Sequence, residues 1–119
     1  MKKILLPALV SVFLVACNNP SQEQQCTTLI GGWHVQSQPD THAEAALASV
    51  LARMNNAAKL KQIIEVRVQV VSGTNYDIEF ILDNGEIWNT RVYRDLEGRY
   101  HIVRKAQRGR LPALLCKNK

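Results

Sequence analysis

The chain has 119 residues, a formal charge of +5 and a hydrophobic content of 46%. That is enough for one domain with a core and hardly enough for two. The cations are dispersed, apart from Arg104-Lys105 and Arg108-x-Arg110 near the end. A nucleic-acid footprint needs a basic face with stacking aromatics, so nucleic acid is excluded as a partner and these charges are expected to form a solvated tail.

Residues 1–16 are expected to be removed. Lys2-Lys3 precede an almost wholly apolar run, Ile4 to Val15, that closes on Leu14-Val15-Ala16-Cys17. Charge, apolar stretch and small-residue cleavage site in that order make a secretory signal, too short to stay as a membrane span. Leu14 to Cys17 also resemble a bacterial lipobox. That resemblance implies that Cys17 becomes the first mature residue and carries lipid, several acyl chains giving firm anchoring. Asn18 after the Cys implies the outer membrane, at its periplasmic face or the cell surface. Loss of residues 1–16 takes away two lysines and no acids, leaving a mildly basic +3. With Cys17 lipidated, Cys26 and Cys116 remain, and an oxidising exported compartment favours their pairing over two separate thiols.

Residues 17–28 are polar and aperiodic and read as a tether. Leu29-Ile30-Gly31-Gly32 then place two exposed aliphatics before a glycine pair. Thr41 and Glu44 have capping-box spacing, with Pro39 just outside. From there Ala43, Ala46, Leu47, Val50, Leu51 and Met54 recur at steps of three and four, as on one helix face. Asn55-Asn56 are expected to end the helix.

Strands follow, at about 60–71, 75–82, 86–94 and 100–106, each with the alternation of a half-buried sheet. Ser72-Gly73 turns the first hairpin with a positive φ. Asp83-Asn84-Gly85 predicts a type I′ turn, and Asp95 to Gly98 a further one. Asp77 and Glu79 alternate to one strand face, where solvation is the default expectation. The pattern predicts an α+β domain over residues 29–106, one helix packed across a curved antiparallel β-sheet of four to five strands. Residues 107–119 form a tail whose course the sequence leaves open.

Three features line up in chain order: Leu29-Ile30-Gly31-Gly32 before the helix, Gln69-Val70-Val71-Ser72-Gly73 running into Thr74-Asn75-Tyr76, and Leu96-Glu97-Gly98 in a later turn. This constellation resembles the cystatins, protein inhibitors of papain-like cysteine proteases, and within them the single-domain stefin branch. The resemblance implies a reversible, active-site-blocking inhibitor with a papain-like cysteine protease as partner. Leu29 and Ile30 would serve as apolar knobs, Gly31-Gly32 as the trunk bend, Gln69, Val70, Val71, Ser72 and Gly73 as the first loop, and Leu96, Glu97 and Gly98 as the second. Glu97 departs from the Pro often found in the stefin second loop and brings a negative charge toward the cleft. The resemblance further implies a monomer, with a domain-swapped dimer as the family's alternative state. A different reading is a non-inhibitory cystatin-fold binding or scaffold lipoprotein of the envelope, because fold does not fix function.

Enzymatic chemistry finds no constellation. His34, His42 and His101 fall on different elements with no partner at ligand spacing, so no metal or other cofactor is expected. Nothing flanks Cys26 or Cys116 to activate a thiol.

Overall fold

The computed structural model describes residues 29–116. The signal segment, the lipidation candidate Cys17, the tether and Cys26 lie outside the described residues. A short strand β1 (Trp33–Val35) precedes helix α1 (Thr41–Leu51). Strands β2 (Leu60–Val71), β3 (Gly73–Leu82), β4 (Ile87–Arg94) and β5 (Tyr100–Arg108) follow. They form one antiparallel five-stranded sheet in the order β1-β2-β3-β4-β5. β5 runs two residues further than the alternation alone predicts.

The helix start is shifted by one residue. Asp40, not Thr41, is the N-cap; its backbone is extended and its Oδ1 accepts from the Ala43 amide at 2.8 Å. A carboxylate there also favours the positive end of the helix dipole. The regular helix closes at Leu51, and turn bonds from Arg53 and Met54 to Val50 and Leu51 carry one more wind, so Asn55-Asn56 lie just beyond.

Alternation explains the packing. Tyr76, Ile78, Phe80 and Leu82 of β3, Val66 of β2 and Val92 of β4 point to one face and meet Ala43, Ala46, Leu47 and Val50 of α1. Burying each large side chain contributes about 1.5–3 kcal/mol. The alanines let the helix lie close to the sheet. Register shifts near Leu60 to Glu65 in β2 and near Asn89 to Val92 in β4 mark bulges, which bend a sheet around a helix.

The opposite face overturns the expectation of solvation. Asp77 and Glu79 are only 6% and 7% exposed. Arg91 grips Asp77 through two bonds, Nε to Oδ1 at 2.6 Å and an Nη to Oδ2 at 2.8 Å. Arg104 stands 3.5 Å from the same carboxylate and donates to Asn89 Oδ1 at 3.0 Å. The Arg91 guanidinium is held further toward its charged form, chiefly by the bond to Asp77.

What covers this face is the tail. Asn89 Nδ2 donates to the Gly109 carbonyl at 2.9 Å, and the Leu111 amide donates to Glu79 Oε1 at 2.7 Å with Leu111 itself buried. Further on, Cys116 bridges to Leu29. The expectation of a solvated basic tail therefore fails for Arg104, which sits in this network, whereas Arg108 stays exposed while bonding Glu86 at 2.6 Å. Both lie on β5; Arg104 reaches across β4 to Asp77 of β3, and Arg108 meets Glu86 just before β4.

Candidate functional site

Register decides whether the three singled-out segments meet. Thr74 of β3 pairs with Arg94 of β4, which puts the β2–β3 connection beside the β4–β5 connection. Trp33 of β1 pairs with Gln69 of β2, so the residues just before Trp33 run toward the same end of the sheet. Residues 29–32, 71–73 and 96–98 thus lie side by side at one end of one sheet.

The trunk is a tight turn. The Gly32 amide donates to the Leu29 carbonyl at 3.2 Å and the Leu29 amide to the Trp33 carbonyl at 2.8 Å. Gly31 and Gly32 take φ +83° and +76°, a region costly for any residue with a Cβ. A Cβ on Gly31 would also stand 3.3 Å from Trp33 Cδ1. Trp33 is held in turn by the Arg91 guanidinium, 4.8 Å from its ring centre. The trunk therefore rests on the Asp77–Arg91 pair, of which Asp77 is the buried member.

The two aliphatics expected to be exposed together part company. Ile30 is 56% exposed, whereas Leu29 is 4% exposed and pairs with Cys116. The Ile30 amide donates to the Leu115 carbonyl at 2.9 Å, so the tail straps the trunk from outside. In this arrangement Leu29 is an anchor and Ile30 the available side chain.

Gln69 joins the trunk to the first loop. Its Nε2 donates to the Gly31 carbonyl at 2.7 Å while its Oε1 accepts from Asn75 Nδ2 at 2.9 Å. Both ends of the amide are satisfied, which fixes its orientation and ties residues 31, 69 and 75 into one rigid unit. Val70 and Val71 lie outside the core, Val70 being 73% exposed.

Gly73 is irreplaceable on two counts. Its φ is +101°, and an added Cβ would fall 2.6 Å from the Arg94 carbonyl oxygen and 2.8 Å from Tyr93 Cε1. The Tyr93 hydroxyl donates to the Ser72 carbonyl, fixing the tip. Tyr93 also stacks with His101 at 6.2 Å between ring centres.

The second loop is built on Asp95. Its Oδ1 accepts from the amides of Glu97 at 3.0 Å and Arg99 at 2.8 Å, and its Oδ2 lies 2.8 Å from His101 Nε2. These bonds, that to His101 first, hold the Asp95 carboxyl down at about 2. Gly98 closes the turn at φ +84°, its amide donating to the Asp95 carbonyl at 3.0 Å. Leu96 at the tip is 77% exposed and Glu97 is exposed beside it.

The same three-residue plan occurs at the far end of the sheet, where Gly85 sits at φ +87° and donates to the Leu82 carbonyl at 3.0 Å. This corrects the two-residue type I′ turn predicted from Asn84-Gly85. The loop runs from Asp83 to Gly85, closed by the Leu82 amide donating to the Glu86 carbonyl at 2.9 Å. Asp83 also bonds Lys59, its amide donating to the Lys59 carbonyl at 2.8 Å and its Oδ1 accepting from the Lys59 amide at 3.1 Å. Nearby, the Glu86 carboxyl is pulled below its usual range by the Asn84 side chain first and by Arg108.

The end of the sheet therefore presents a row of exposed apolar side chains, Ile30, Val70, Val71 and Leu96, on a backbone pinned by side-chain hydrogen bonds. Of the residues that hold the row in place, Tyr93 and Arg94 were not singled out in the sequence, while Asn75 was noted only as part of the run after the first loop. Asn75 follows the first loop directly and Tyr93 shares its face by alternation, so the pattern carried a trace of both. Among the described residues no three His, Cys, Asp or Glu side chains come together as a metal site. Such an edge can fill a groove and has no groups arranged for bond-making.

Comparison with curated proteins and with solved structures returned no match. A comparison with protein families matches residues 31–109 to the Cystatin domain. Cystatins are protease inhibitors rather than enzymes, and that domain points to a cysteine protease as partner. The matched span covers well over half of the sequence and every element of the sheet and helix, and on that ground the chain belongs to the cystatin family.

Proposed function

We propose that this protein is a reversible, active-site-blocking inhibitor of papain-like cysteine proteases. The observation that carries the reading is the convergence of trunk, first loop and second loop at one sheet end, with Ile30, Val70, Val71 and Leu96 exposed along it. Gly31 and Gly32 bend the trunk away before a peptide carbonyl reaches a catalytic thiolate, so the chain blocks without being cut. Gln69, Val70, Val71, Ser72 and Gly73 present a narrow tip to the cleft. Leu96, Glu97 and Gly98 supply a second contact, with Glu97 tempering it by bringing charge toward the protease. A complex of standard size buries about 800 Å² per partner, and the hydrogen-bonded edge lowers the cost of ordering it.

The proposal extends to location. Cys17 carries lipid after removal of residues 1–16, residues 17–28 tether the domain, and the protein sits on the bacterial outer membrane. Cys26 pairs with Cys116. Supporting this, Cys116 is held in a disulfide, and its bridge to Leu29 brings it to the start of the domain, a few residues after Cys26 in sequence. Peptide mapping without reduction tests the pairing, and loss of membrane association in Cys17→Ser tests the anchor.

Titration of soluble protein spanning residues 26–119 against papain and a cathepsin tests the inhibition. Reversible, stoichiometric inhibition is expected, with Gly31→Glu weakening it about thirtyfold or more, as loss of a central contact does, while circular dichroism stays unchanged. A folded wild-type protein that inhibits neither enzyme would instead favour a non-inhibitory binding module of the envelope.

A further inference from the structure

The opposite end of the sheet carries a second concavity that inhibition leaves unused. A groove of about 580 Å³ opens between the end of α1 and strands β4 and β5. That volume lies within the range of pockets that hold small organic ligands. Its apolar lining is Val50, Met54, Trp88, Ile102 and Ala106. Val50 belongs to the core, while the other four are only partly buried, so an apolar surface around a half-buried indole is left for solvent. Met54 is unbranched and pliable, able to fit guests of different shape.

The remaining lining is polar, and its charge has one sign. Arg53 and Lys105 both line the groove and are exposed, and among the described residues neither has an acidic partner. Asn55 adds an amide, while the Asn56 side chain is taken up by Glu86 and the Ala58 amide. Glu86 borders the groove: its carboxylate accepts from Trp88 Nε1 at 3.4 Å and is bonded by the Asn56 side chain. Arg108 at 2.6 Å and Asn84 at 2.9 Å also engage it, so its charge is already matched. The C-terminal end of a helix disfavours an anion at its backbone, so recognition of a negative head falls to the Arg53 and Lys105 side chains.

We propose that this groove binds one molecule of a single-chain anionic amphiphile, its alkyl chain along Trp88, Ile102 and Ala106 and its carboxylate or phosphate head between Arg53 and Lys105. Apolar burial supplies the affinity and the paired cations select an acidic over a neutral head. Trp88 pairs with Arg108, whereas the inhibitory loops lie beside Thr74 and Arg94, so the two sites occupy opposite ends of the sheet.

Protein spanning residues 18–119, which contains every residue of the folded domain described above, is titrated with laurate below its micelle concentration. Binding is followed by Trp88 fluorescence, with Trp88→Phe as control, and by methyl resonances. Saturable one-to-one binding is expected, with shifts at Val50, Met54, Ile102 and Ala106 and none at Ile30, Val71 or Leu96. Arg53→Gln with Lys105→Gln, both on exposed side chains, should weaken laurate roughly three- to tenfold, and octyl glucoside should not saturate. Equal binding of laurate and octyl glucoside would overturn the proposal. So would undiminished affinity in the double variant, shifts at the inhibitory end, or association only with anionic vesicles and never with monomeric laurate.

Discussion

The first and second loops occupy the same end of the sheet and both turn on a glycine at positive φ, yet they are held by different means. The first is enclosed: Gly73 lies against the Arg94 backbone and the Tyr93 ring, the Ser72 carbonyl is taken by Tyr93, and Gln69 ties the base to the trunk. The second stands free, its shape set by Asp95 and its own backbone, with a Cβ on Gly98 meeting only the end of Arg94 at 3.5 Å. A glycine can thus be required by its torsion alone or by torsion and a neighbour together, and only the second kind couples a loop to the rest of the sheet.

The largest expected effect separates these cases directly. Gly73→Ala adds a backbone collision to an unfavourable torsion and should cost about 3 kcal/mol in urea unfolding, as overpacking and left-handed strain together do. Gly98→Ala meets the torsional term only and should cost about 1–2 kcal/mol. Equal losses in the two variants would erase the distinction between an enclosed and a free loop. Tyr93→Phe removes the bond to Ser72 while keeping the ring, and should cost about 1 kcal/mol. It should also speed dissociation from papain, because a first loop no longer fixed must be ordered on binding; an unchanged dissociation rate would show that Tyr93 does not preorganise the tip.

The smallest effect appears in acid. The Asp95 carboxyl is depressed from 3.8 to about 2 on folding, so its stabilising bonds are fully present above about pH 4 and are lost as pH falls toward 2. Asp95→Asn should therefore flatten the fall in melting temperature over that window and leave the curve above pH 5 parallel to wild type. Glu86, also lowered, remains in the variant and continues to contribute at the far turn. A wild-type slope unchanged by Asp95→Asn would mean that the second loop is not built on this carboxylate.

Much of this was legible in the residues. Alternation in 60–71, 75–82, 86–94 and 100–106 gave the meander, and the spacing of Ala43, Ala46, Leu47 and Val50 gave the helix face that packs on it. The cap was misplaced by one residue because Asp40 and Thr41 are both good capping types, and which carboxyl or hydroxyl reaches the third amide depends on the entry path of the chain. The far turn was misjudged because Asn84-Gly85 carries a strong two-residue turn preference, whereas the pairing of Leu82 with Glu86 makes the loop three residues long. Leu29 and Ile30 looked equivalent in sequence. The tail, whose course no periodicity announces, buries one and leaves the other exposed.

By itself the sequence determined the succession of strands, the helix face and the three segments that mark the family, because period and glycine placement are local properties that neighbouring residues carry. The tertiary structure alone decided that Asp77 and Glu79 are buried partners rather than surface charges, that Gln69 joins trunk to loop, and that Tyr93 holds the tip. Each of those depends on residues from 6 to 38 positions apart meeting across the sheet. Such meetings are set by register and by the path of residues 109–116, which no stretch of chain encodes alone.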